Sequence, residues 1–222
     1  MKKTLMILIC LSLPGLCSDL HAAGISFAVA PTFSKPANSD NTFASELGWS
    51  GGLIFELGSH AMARRETGSL FFLSHDLGII YSKRAFSATI DGTFYRFTTQ
   101  EIQLQNMFYL WISRVISPGI GFFASYTPGP LEYSSPDGNF QTSPIRRFDY
   151  GITASVRLMF GTSKFHWFID SRYTQNFGST MAIGDAHYQT IMALIGIRFG
   201  TTPPDPYQHL TPGVYRAPKI KY

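Results

Sequence analysis

The chain has 222 residues, of which 15% are aromatic and only 14% charged, with 20 glycines, 13 prolines and a formal charge of +4. That charge is too mild to imply a nucleic-acid partner, and no segment past the N-terminus is long and apolar enough for a spanning helix. What is left is a single strand-favouring domain.

Residues 1–23 read as a secretory signal. Lys2 and Lys3 precede the short apolar run LMILICL, Pro14 and Gly15 break it, and the small residues Ala22 and Ala23 follow. A run this short suits a signal core and not a membrane span. Cleavage is expected after Ala22 or Ala23, and the bulky Leu16 argues against a lipoprotein site at Cys17. Removing the segment removes both cysteines, Cys10 and Cys17, and leaves sixteen basic against thirteen acidic residues. Disulfide and thiolate chemistry are then excluded from the mature chain.

Eight segments alternate with period two, the mark of strands whose faces meet different surroundings. The first, near 25–33, sets Ile25, Phe27, Val29 and Phe33 against Ser26, Ala28 and Ala30; the second sets Leu47, Trp49, Leu53, Phe55 and Leu57 against Gly48, Ser50, Gly52 and Glu56. The third, near 70–81, is apolar on both faces in places and puts His75 on its outer face. The fourth opposes Ile102, Leu104, Phe108, Leu110 and Ile112 to Glu101, Gln103, Gln105, Tyr109 and Trp111; the fifth, near 119–126, opposes Ile120, Phe122 and Tyr126 to Gly119, Gly121 and Ser125. In the sixth, Phe148, Tyr150, Ile152, Ala154, Val156, Leu158 and Phe160 face away from Asp149, Gly151, Thr153, Ser155, Arg157, Met159 and Gly161. The seventh opposes Phe165, Trp167, Ile169, Tyr173 and Phe177 to His166, Asp170, Arg172, Thr174 and Asn176; the eighth, 187–199, opposes Ile191, Ile195, Ile197 and Phe199 to Tyr188, Thr190, Gly196 and Arg198.

Joints near 61–67, 115–118 and 161–164 are short, whereas those near 34–46, 83–93, 128–147 and 178–186 are longer. Outer-membrane barrels combine short periplasmic turns with longer external loops, which places both ends in the periplasm. Residues 201–222 contain five prolines, cannot extend a sheet, and read as a periplasmic tail. The expected organisation is therefore a signal at 1–23, a barrel at 24–200 and a tail at 201–222.

Alternation alone also fits a secreted lipocalin-like barrel with its faces reversed. Two features favour the membrane. Several strands reach about 12 residues, enough to cross a bilayer when tilted. Aromatics also gather near the ends of the apolar faces, at headgroup depth. The expected fold is all-β, an eight-stranded antiparallel up-and-down transmembrane barrel.

From Gly48 onward the chain resembles the PorT-like outer-membrane β-barrel family. The resemblance rests on WSGGLIFELG (49–58), SLFFLSHDLGIIYSK (69–83), PGIGFFASYTPG (118–129), FDYGITASVRLMFG (148–161), FIDSRYTQNFG (168–178) and the closing MALIGIRFG (192–200), in that order. It implies an eight-stranded barrel in the outer membrane of a Gram-negative bacterium. Founding members are linked to export across that membrane. The 22 residues after Gly200 depart from the pattern, because such barrels usually end on the terminal aromatic.

Glu56, Asp76, Glu101, Arg157, Asp170, Arg172 and Arg198 are expected to face the lumen. Eight strands enclose a space just wide enough to be filled by side chains, so these charges should pair into a structural plug. Asp170 and Arg172, two apart on one strand, are the best-placed pair; the competing reading is a narrow pore. A lipid-modifying enzyme would need a site on the external rim, where His187, Asp185 and Ser179 are the candidates, but their spacing demands nothing and turns commonly hold such residues. His75 and His166 lack partners at metal-ligand spacing. No enzyme activity and no cofactor are expected. The expected partners are the outer-membrane bilayer and envelope proteins, met through the turn-rich segment 127–147 or through the basic tail with Arg216, Lys219 and Lys221.

Overall fold

A computed structural model gives the architecture and describes residues 24–37, 43–64, 70–113, 115–138, 140–144, 147–161, 165–178 and 187–200, with 58–64 and 70–72 as backbone only. The expected signal and tail lie outside the described residues. Ten strands follow in order: β1 (Gly24–Ala37), β2 (Phe43–Arg64), β3 (Leu70–Ile90), β4 (Thr93–Trp111), β5 (Ile116–Tyr126), β6 (Leu131–Ser134), β7 (Phe140–Ser143), β8 (Phe148–Gly161), β9 (Phe165–Asn176) and β10 (His187–Gly200). Eight of them form one antiparallel wall in the order β3-β2-β1-β10-β9-β8-β5-β4, which the β3–β4 pairing closes into a barrel.

The register fixes the shape. Registered partners run from Ile25 through Phe55, Leu77, Asn106, Phe122, Ile152, Gln175 and Gln189 to Lys35, ten residues beyond the start. Eight strands with that stagger tilt by about 40°, so each residue climbs roughly 2.5 Å along the barrel axis. Burial follows the pleat: β1 alternates buried and exposed almost throughout, as do β8 and β9. Polar, aromatic and sulfur-bearing side chains fill the inside, while Val29, Leu47, Ile120, Ile152 and Ile195 are exposed outside.

Two expectations about the external loops need correction. Residues 83–93 are not a long loop, because β3 and β4 continue until Asp91 and Gly92 close them with φ of 51° and 78°. Two successive left-handed residues make the hairpin turn whose twist matches its strands, and Asp-Gly is a preferred pair for it. Gly92→Val should cost about 1 kcal/mol, because a β-branched side chain is strained at positive φ. Chemical denaturation should show that small loss while unboiled gel migration stays unchanged, since nothing crowds Gly92.

Nor is 127–147 a bare loop. It carries the β6–β7 hairpin, whose Glu132–Ser134 add to Arg96–Thr98 of β4. Leu131 there joins Phe86, Ala88, Phe97 and Tyr188 in a buried cluster above the mouth of the barrel. Burial of these side chains gives an otherwise exposed extension of the sheet its own small core.

Candidate functional site: the lumen and the outer wall

The interior of the wall is a polar chain that runs the length of the barrel. Near the end that carries the β3–β4 turn, Arg84 lies 2.5 Å from Glu101, with the Tyr188 ring 5.1 Å from the guanidinium. Gln103 Nε2 donates to Glu101 at 3.2 Å, and Gln105 Nε2 donates to Gln103 at 2.6 Å. Arg172 donates to Oε1 of the Gln105 side chain and to Asp170, its Nη2 standing 2.7 Å from Oδ2. Arg157 bridges onward, 3.0 Å from Asp170 and 2.7 Å from Asp76. At the other end Arg198 lies 2.5 Å from Glu56, the registered neighbour of Asp76.

Four guanidiniums thus face four carboxylates, and every one of the eight side chains is buried. An isolated charge in such a space would be very costly, so formal neutrality along the chain is what allows it to be closed. Asp170 is the hub. Its Oδ2 also accepts from Tyr109 Oη at 2.6 Å, and the Arg157 guanidinium sits 3.8 Å from the centre of the Tyr109 ring. Apolar packing closes the remaining space, with Ile54, Ile80, Trp111, Met159, Phe168, Met192 and Leu194 in one buried cluster. Trp111 Nε1 donates to Ser74 at 2.9 Å, so even this layer is tied to the wall.

All seven lumen residues singled out from the sequence lie inside, linked by ion pairs as above. Arg84 was missed because the segment holding it read as a loop. Its signal was present: Ser82, Arg84 and Phe86 keep the inward parity of Asp76 and Ile80. Gln103, Gln105 and Tyr109 lay on the inward face but carried no charge to mark them.

Ser179 and Asp185 lie outside the described residues; His187 begins β10, half-buried. His75 is on the outer wall, stacked on Phe108 at 4.7 Å between ring centres and hydrogen-bonded to Asn106 Oδ1 at 2.5 Å. His166 points inward and is buried. No cluster of three or more metal-ligating side chains occurs among the described residues.

The outer wall is ordered by depth. With the axial rise set by the stagger, Phe160, Phe165, Trp167 and Phe199 fall at one level. Phe33, Trp49, Tyr126, Phe148, Tyr150 and Phe177 fall at another, roughly 25 Å above it. Rings pack on rings within each level: Phe165 against Trp167 and Phe199, Trp49 against Tyr81, Tyr126 against Phe148, and Tyr150 against Phe177. Val29, Leu53, Ile79, Leu104, Ile120, Ile152 and Ile195 occupy the band between and are exposed.

No family model matches the chain, and no curated protein matches it. Among solved structures it is similar to Ail, the attachment invasion locus protein of Yersinia pestis, including its complex with the heparin analogue sucrose octasulfate (15% identity, 79% of this chain and 97% of that one, TM-score 0.40). It is also similar to Neisserial surface protein A (12% identity, 80% of this chain and 96% of that one, TM-score 0.45).

Proposed function

We propose that the chain is an integral outer-membrane barrel of the PorT-like kind, with both termini periplasmic and its lumen closed by side chains. Its role is structural or one of interaction at the cell surface, and not catalytic. One observation carries this reading: a closed wall that exposes an aliphatic band about 25 Å tall between two aromatic levels, the height and edging of a lipid-facing belt. A water-soluble barrel would leave that belt in water. Closure matters equally, because lipid offers no partner to an unpaired strand edge.

The neutral ion-pair chain supports a plug and not a conduit, since its four arginines are locked to its four carboxylates. The interaction face in this reading is the external sheet of β3, β4, β6 and β7. It presents Phe94 and the 84% exposed Phe140. The order of the aromatic and glycine-rich motifs supports the PorT-like assignment.

Trp49 and Trp167 are 52% and 51% exposed on the two aromatic levels, whereas Trp111 is fully buried. Single-tryptophan variants in vesicles with brominated lipid should lose most emission for Trp49 and Trp167 and little for Trp111. The compact form on unboiled gels should shift on heating. Strong quenching of Trp111, or none of the other two, would overturn the membrane reading.

A further inference from the structure

Among the described residues, two exposed lysines of the outer wall lie at the same end. Lys35 of β1 and Lys83 of β3 point outward at the level of the external aromatic belt. Among the described residues, the outward side chains of the opposite belt include no lysine or arginine.

Strand β2 separates the two and exposes Leu47 and Trp49 between them. Lys83 is the registered partner of Trp49, whose ring packs on Tyr81 with 5.2 Å between centres. Glu46, the carboxylate that β2 brings to this sector, is held by Arg96 at 2.5 Å. Neither lysine forms an ion pair among the described residues. Strand spacing puts the two backbones roughly 10–15 Å apart, and each ammonium rides on a flexible four-carbon stem. They can therefore converge on one anion lying over Leu47 and Trp49.

We propose that Lys35 and Lys83 form a two-pronged seat for the phosphorylated headgroup of a lipid in the external leaflet, with its acyl chains laid across Leu47 and Trp49. Chemistry at this depth favours phosphate: an ammonium at the interface gains most from a fixed anion, and the apolar floor between the prongs suits hydrocarbon. The site rests on the outer-membrane reading above.

The full chain in detergent is mixed with equal amounts of diphosphoryl lipid A and phosphatidylcholine, and retained lipids are counted by native mass spectrometry. The wild type should retain the phosphorylated lipid roughly tenfold over phosphatidylcholine. K35Q/K83Q should lose that preference, and K35R/K83R should keep most of it. Dephosphorylated lipid A retained as well as the diphosphoryl form would overturn the proposal, because phosphate would not be what is read. Both lysines are exposed, so each variant should keep the compact unboiled gel form. If the wild type shows no such form, the membrane reading itself fails; compact variants with undiminished preference refute the lipid seat alone.

Discussion

Asp170→Ala should lower barrel stability by about 3–5 kcal/mol, the cost of removing one partner from a buried ion pair. Oδ2 of Asp170 accepts from Arg157 Nε and Nη2 at 3.3 and 3.0 Å, from Arg172 Nε and Nη2 at 3.1 and 2.7 Å, and from Tyr109 Oη at 2.6 Å. Alanine takes a carboxylate partner from two guanidiniums in a closed space, leaving the chain with four positive charges against three negative ones. Arg157 keeps Asp76 at 2.7 Å, but Arg172 falls back on the neutral Gln105 and Tyr109. Arg172→Met added to Asp170→Ala restores the charge balance and should recover much of the loss, since well-packed apolar replacements of buried pairs are often near neutral. Urea titration of barrels folded in vesicles, followed by the compact gel band, measures both. A loss below about 1 kcal/mol for the single variant would show that water already shares this charge and that the lumen is not closed around it.

Between the two aromatic levels the strands are legible because the outer face and the lumen impose opposite demands on alternate residues. Phe148 to Gly161 displays this most clearly, one face all apolar and the other carrying Asp149, Arg157 and Met159. Beyond the aromatic level at the β3–β4 turn that contrast disappears. Residues 83–93 hold Lys83, Arg84, Phe86 and Ile90 with no clean alternation, so two strands that run on past the barrel wall resemble a loop. The Leu131–Ser134 and Phe140–Ser143 strands are four residues each, too short for a period to declare itself beside Pro-Asp-Gly. Inside the barrel, facing residues can be named from parity, but which of them meet depends on the stagger. Gln105 and Arg172 are 67 positions apart, and only a shift of ten residues around the wall brings them together. Lys35 and Lys83 carry no signal in the sequence for a related reason, since each is an ordinary strand-end lysine until the wall sets both beside Trp49.

Gly119→Ala is expected to be nearly as damaging as loss of the Asp170 carboxylate, although it adds one methyl. A Cβ at Gly119 would stand 2.6 and 2.7 Å from Tyr109 Cδ1 and Cε1 and 2.8 Å from Ser155 Oγ. Contacts that short require something to move. A tyrosine ring elsewhere could swing aside, but this one is held at both ends: its hydroxyl is bound to Asp170, and the Arg157 guanidinium lies over its face. Moving the ring therefore costs the hub one of its donors as well as the packing. The expected loss is about 1–3 kcal/mol from overpacking, plus a share of the hydrogen bond. Tyr109→Leu in the Gly119→Ala background separates the two contributions. If the ring is the obstacle, the double variant should be less destabilised than the sum of the two single changes, a coupling of 0.5–3 kcal/mol being typical of residues in contact. Strict additivity would mean that the methyl is accommodated by the wall, and that glycine at this position does not serve to seat the tyrosine over the strand beside it.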